Sequence, residues 1–132
     1  MTVLDTSGVI DFLLGEGVAD DVRQLLRAGP ASAPDLLVFE VLAVLRRDVH
    51  RRVVTVERAE AALEDLGDLT VRLFPALPLR RRAWELRENM TAADALFVAL
   101  AEELGEPLAT KDGGLASAAR GHARVEIVEL RE

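Results

Sequence analysis

Residues 89–112 constrain the fold more than any other stretch. Thr91 is a natural helix N-cap, and Asp94 stands three residues on, in the capping-box position. Leu96, Phe97, Ala99, Leu100 and Leu104 then recur at helical spacing, and Gly105 supplies a helix stop. Pro107-Leu108-Ala109-Thr110 is short and apolar, as an inner strand would be, and Asp112 lies just past its end. One helix–strand unit therefore delivers two carboxylates. The rest of the chain must bury that unit.

The preceding residues repeat the pattern. Val3-Leu4 reads as a buried first strand ending in Asp5-Thr6-Ser7-Gly8, and a helix carrying Val9, Ile10, Phe12, Leu13 and Leu14 follows. Gly15 and Gly17 break it, and Asp20–Ala28 predicts a second helix that stops at Gly29-Pro30. Residues 31–34 are weakly strand-like. Asp35 is then expected to cap a helix reaching about His50, apolar almost all round in its first half and so buried on most sides. Glu40 sits among Leu36, Leu37, Ala43 and Val44, with no local partner. Thr55 caps a further helix that Gly67 ends, and Val71–Phe74 suggests a strand near an edge. Pro78 starts a short helix with Leu79, Ala83, Trp84 and Leu86 inward, and Asn89 is expected to stop it in the left-handed conformation. Leu115–Ala119 predicts a short helix and Val125–Val128 a last strand.

Short strands alternating with longer helices imply βαβ units and a parallel sheet between helical layers. The expected fold is α/β, a three-layer α/β/α sandwich around a short central parallel sheet, with residues 1–132 forming one domain. Ligands of such sheets bind beyond the carboxyl ends of the strands. Asp5 and Asp112 lie at that edge, and the start of the Asp94 helix could be brought to it.

Composition narrows the chemistry. There is no cysteine or tyrosine, and the only histidines are His50 and His122. Disulfides, thiolate zinc sites and a Cys nucleophile are excluded, so chemistry must rest on carboxylates, hydroxyls or a bound metal. No apolar run approaches the ~20 residues of a membrane span, and the first residues lack a basic signal-peptide start, so a soluble cytoplasmic protein is expected. The net charge of -7 disfavours a polyanionic partner. It is uneven, however: Arg46, Arg47, Arg51 and Arg52 cluster, as do Arg80, Arg81, Arg82 and Arg87. These are either solvated helix faces or two basic rims around an acidic site.

An ionised carboxylate buried without a partner is costly, so Glu40 must be paired, protonated or bound to metal. Asp5, Asp94 and Asp112 each have a simpler reading as helix caps. Together with Glu40 in one pocket, the carboxylates would repel one another and raise each other's pKa, which a divalent cation relieves. Hard oxygen donors, without Cys or a His cluster, select Mg²⁺ or Mn²⁺ over zinc.

These segments, taken in order, resemble a PIN domain, and more narrowly a VapC-type toxin. The residues that carry the resemblance are Asp5-Thr6-Ser7 after the first strand, Ala33-Pro34-Asp35-Leu36-Leu37 leading to Glu40-Val41, Thr91-Ala-Ala-Asp94-Ala95, and Pro107-Leu-Ala-Thr110-Lys-Asp112. The resemblance covers nearly the whole chain. It implies a Mg²⁺- or Mn²⁺-dependent endoribonuclease that cleaves RNA with a metal-activated water. Asp5, Glu40, Asp94 and Asp112 would be the catalytic metal ligands, and Thr110 and Ser7 the supporting hydroxyls. It further implies a homodimer, a VapB-type antitoxin partner that inserts a segment into the acidic groove, and tRNA or ribosomal RNA as substrate, with no membrane. Arg46, Arg47, Arg51, Arg80, Arg81 and Arg82 are the expected RNA contacts. Some PIN domains carry a further acid shortly after the position of Asp112. Here Gly113 and Gly114 follow, so the resemblance leaves open whether the site takes one metal or two.

Rival readings are weaker. A phosphatase of the haloacid dehalogenase type needs a second Asp where Ser7 stands. A receiver domain would use Lys111, the only lysine, but lacks an acidic pair near strand one. A Ser-His-Asp hydrolase has no nucleophile elbow. A PIN-like binding module without catalysis would not need all four acids.

Overall fold

A computed structural model describes residues Met1–Glu132. Five short strands, β1 (Thr2–Leu4), β2 (Ala31–Pro34), β3 (Val71–Phe74), β4 (Leu108–Thr110) and β5 (Ile127–Glu129), form one sheet in the order β3-β2-β1-β4-β5. Every pairing is parallel. The inner strands β1, β2 and β4 are buried throughout, whereas β3 and β5 at the edges are only partly covered. That is the burial expected of a parallel sheet covered on both faces.

The helices are α1 (Thr6–Leu14), α2 (Ala19–Ala28), α3 (Leu36–His50), α4 (Val56–Asp68), α5 (Arg80–Glu85), α6 (Ala92–Leu104) and α7 (Gly113–His122), with a 3₁₀ turn at Leu77–Leu79 leading into α5. In one helical group α1 contacts α2, α3 and α4; in the other α5 packs on α6, which lies against β1, β2 and β4. The result is the expected three-layer α/β/α sandwich. No helix is long and apolar enough to cross a membrane.

Four caps do what their residue types predict. Asp5, Thr55, Thr91 and Asp112 each accept the backbone N–H three residues on, opening α1, α4, α6 and α7. Gly15 and Gly105 close α1 and α6 at φ of 68° and 63°, the left-handed region that favours glycine.

Other local expectations are corrected. The Asp35 side chain makes no cap bond to α3; its Oδ1 instead accepts the N–H of Ala76 and ties β2's end to the turn after β3. The first half of α3 is not buried on most sides. Leu37, Val41 and Leu45 face the core, but Phe39 is 72% exposed and Val38 and Leu42 are also open. One stripe at i, i+4, i+8 suffices to seat this helix. Gly67 lies inside the last turn of α4, which runs on to Asp68. Trp84 points outward, 67% exposed, because Leu79 and Leu86 already fill the inward face; the Arg87 guanidinium covers its ring at 4.7 Å. Asn89 is not left-handed: Arg52 is the only non-glycine residue with positive φ, and α5 ends at Glu85 in successive tight turns.

Candidate functional site

The chain fills one side of the sheet with β1, β2 and β3, then crosses back to add β4 and β5 on the other. Strand order therefore reverses between β1 and β4, the switch point at which open α/β sheets bind ligands. Register places Leu4 beside Ala109, so Asp5 leaves β1 next to Thr110. A cavity of about 480 Å³ opens there. Asp5, Glu40, Asp94 and Asp112 all line it, each from a different element, and so does Ser7.

Asp5 is the deepest of the four acids, 6% exposed. Its Oδ1 accepts the Gly8 N–H at 3.0 Å and the Ser7 hydroxyl at 3.1 Å, and its Oδ2 accepts the Thr110 hydroxyl. Gly8 permits this approach, because a Cβ there would stand 3.0 Å from Leu4 and 3.3 Å from the Asp5 carboxylate. Burial pushes the Asp5 carboxyl above the ordinary Asp range against the pull of these three hydrogen bonds, and the charge of Asp112 adds to the rise.

Thr110 joins two acids. While its hydroxyl donates to Asp5, the same oxygen accepts the Asp112 N–H at 3.0 Å. Asp112 Oδ1 in turn accepts the Leu115 N–H at 3.1 Å, which fixes the carboxylate at the start of α7. Thr110 is 1% exposed, so Thr110→Val keeps the shape but takes the hydroxyl partner from the buried Asp5 Oδ2 and from the part-buried Asp112 N–H. That variant is expected to lose about 2 kcal/mol of stability in urea denaturation; a loss under about 0.5 kcal/mol would mean that water replaces the hydroxyl.

Asp94 is half-buried on the first turn of α6. Burial raises its pKa most, the Thr91 side chain opposes that, and the charges of Asp112, Asp5 and Glu40 raise it further. The four carboxylates therefore act on one another across the cavity. No three of them stand together as a ready-made metal cluster. Glu40 has a partner that sequence spacing did not identify: the Thr6 hydroxyl donates to its Oε1 at 2.5 Å. The signal was the hydroxyl pair Thr6-Ser7 directly after Asp5, of which only Ser7 was singled out.

The arginines divide. Arg47 lines the cavity, on the same side of α3 as Glu40. Arg46, Arg51, Arg80 and Arg81 lie outside its wall. Arg82 is committed elsewhere, holding both Glu102 oxygens at 2.7 and 3.1 Å and the His122 carbonyl at 3.1 Å, which ties α5 to α6 and the end of α7. An Arg so engaged is a structural tie rather than a free phosphate contact. The pairing also holds the Glu102 carboxyl below its ordinary range.

A parallel sheet sandwiched by helices, with carboxylates from four elements lining one cavity at its switch point, defines an acidic-site α/β/α protein. The PIN domain family model matches residues 2–121, and the chain belongs to that family. Among curated relatives it is 41% identical over 128 residues to Ribonuclease VapC1 of Mycobacterium tuberculosis, covering 96% of each chain. It is 35% identical to Ribonuclease VapC12 of the same organism, covering 97% of this chain and 99% of that one. Its fold is similar to that of VapBC2 from Rickettsia felis bound to a promoter DNA fragment (TM-score 0.70, 11% identity, 97% of each chain). A toxin–antitoxin complex from Klebsiella pneumoniae is also similar (TM-score 0.65, 20% identity, 100% and 99% covered).

Proposed function

We propose that this chain is a metal-dependent endoribonuclease and the toxin of a toxin–antitoxin pair. The observation that carries the reading is the convergence of Asp5, Glu40, Asp94 and Asp112 on one cavity at the sheet's switch point. The curated relatives named as VapC ribonucleases support the reaction class. A VapB-type antitoxin is the partner proposed by likeness to the toxin–antitoxin complexes.

The donor set suits Mg²⁺ or Mn²⁺. It consists of carboxylates and hydroxyls, with neither histidine in the cavity wall. Asp5, Glu40, Asp94 and Asp112 are the residues that would hold the ion, and a cation there would offset the repulsion among their charges. When bound, the cation supplies a Lewis acid that acidifies water and steadies charge on a phosphoryl group. The chain's own part is orientation. Ser7, Gly8 and Thr110 hold the Asp5 carboxylate with its lone pairs directed, Thr6 does the same for Glu40, and the α7 N-terminus holds Asp112.

The test is induced expression in a bacterial host with sequencing of new RNA 5′ ends, wild type beside Asp5→Ala. Discrete new ends and growth arrest from wild type alone are expected. Arrest from both proteins would show toxicity independent of the acids. Glu40→Gln keeps the oxygen that accepts from Thr6 and removes a charge, so it should shift metal-free stability by less than about 0.5 kcal/mol. A large fall in its melting temperature would instead mark Glu40 as half of a structural ion pair.

A further inference from the structure

The cavity has seven carboxylates in its wall and only two cations, Arg47 and Lys111. A phosphate chain entering so negative a space needs positive charge at the wall. Arg47 Nε lies 3.2 Å from Asp48, its neighbour on α3. Lys111 is placed differently. It stands between Thr110 and Asp112, and its Nζ lies 2.7 Å from Asp11 Oδ2, a residue 100 positions earlier on α1.

The two partners of that pair are unlike. The Asp11 side chain is 8% exposed, and its Oδ2 also accepts the Val18 N–H at 3.1 Å. Gly17, at φ 55°, packs its bare Cα onto the carboxylate, where a Cβ would collide with it. Asp11 is therefore a fixed anion. Lys111 is a long side chain, 39% exposed, with three ammonium donors of which Asp11 takes one. A fixed carboxylate thus holds a cation at the rim, beside Asp112, with two donors left to face the cavity.

We propose that Lys111 is the phosphate-binding residue of this cavity. Its ammonium, positioned by Asp11, contacts an RNA phosphate beside the one that is cleaved. The assignment rests on the ribonuclease reading for its substrate. The competing account makes the pair a simple tie between α1 and the loop after β4. Under that account neither partner's loss touches RNA; under ours loss of Lys111 removes the phosphate contact, and loss of Asp11 loosens the ammonium that makes it.

The experiment measures binding of a fluorescein-labelled RNA stem-loop by anisotropy, with Mg²⁺, over a salt series. The Asp94→Asn protein serves as parent so that the probe stays intact. Lys111→Met, Lys111→Arg and Asp11→Asn are added singly, and wild-type cleavage of the same RNA is measured in parallel. Lys111→Met is expected to weaken binding on the order of 10-fold. It should also reduce the slope of log Kd against log salt by about 0.7. Lys111→Arg should restore most of the affinity, and Asp11→Asn, which keeps the ammonium but loosens its placement, should weaken binding by about threefold, well short of the loss in Lys111→Met. The proposal is overturned if Lys111→Met and Asp11→Asn lower the melting temperature alike while affinity and slope stay at the parent's values. It is equally overturned if all three variants bind as the parent does. Absence of wild-type cleavage alongside weakened binding by Lys111→Met would remove the nuclease reading and leave the phosphate contact standing.

Discussion

Asp94→Asn is expected to fold normally and to cleave RNA at least roughly a thousandfold more slowly, a loss of about 4 kcal/mol in transition-state stabilisation. Asp94 does two jobs at one position. The cap of α6 uses the Asp94 backbone N–H and the Thr91 hydroxyl, and asparagine leaves both in place. The carboxylate does something else. It faces the cavity half-buried, under the charges of Asp112, Asp5 and Glu40, and its pKa is raised by that setting. A group so placed is costly to the free protein and useful only to a cation. Asparagine removes the repulsion, so the variant should melt at or slightly above the wild-type temperature without metal. It also removes one charge from the site that must hold Mg²⁺. Circular dichroism and a gel-based cleavage assay on the same preparation check both halves. An Asp94→Asn protein with wild-type cleavage would sink the assignment of this cavity as the catalytic centre.

Much of this architecture could be read from local chemistry. Asp5, Thr91 and Asp112 announce helix starts because a short polar side chain satisfies an orphan N–H, and that signal lies within four residues. Gly15 and Gly105 announce helix ends for the same kind of reason. Because Asp5 and Asp112 are themselves caps and Asp94 stands three residues after the cap Thr91, finding the junctions also found three of the acids. What stayed hidden depends on residues distant in sequence. Arg82 reads as one member of a basic run until α6 brings Glu102 to it, 20 positions on. Lys111 and Asp11 cannot be paired before β4 is known to lie beside β1 and α1 to follow it. Trp84, and Phe39 within the apolar first half of α3, read as inward on apolar character alone, which marks a helix's buried face only when the apolar stripe is narrow. On α3 the stripe is too broad, and packing alone selects Leu37, Val41 and Leu45. Asp35 reads as a cap from its residue type, yet the turn after β3 offers its carboxylate the Ala76 N–H instead.

The second large effect concerns stability. Millimolar Mg²⁺ should raise the stability of the wild-type protein at neutral pH, by about 3 kcal/mol when its concentration is 100 times Kd, and should do so progressively less in acid. Asp5 and Asp94 both have folded pKa values raised above the ordinary Asp value of roughly 3.9. For a group raised in the folded state, the associated stability is complete below the unfolded pKa and is lost as pH rises through the folded one. The metal-free protein should therefore weaken from about pH 4 upward as these two carboxyls ionise in a site that repels them. Glu102 has the opposite sign. Arg82 holds it below the ordinary range, so its contribution is present above the unfolded value and fades only in stronger acid. The two windows meet near the ordinary carboxyl range and run in opposite directions from it. A cation reverses the first trend, since it binds the ionised carboxylates and must displace their protons when pH is low. Urea denaturation from about pH 4.5 to about pH 8, with and without Mg²⁺, displays the effect as a gap that widens with pH. In Asp5→Asn/Asp94→Asn protein the metal-free slope should flatten and the gap should close. A gap of constant size across that range would mean that Mg²⁺ binds elsewhere, on groups whose protonation does not change.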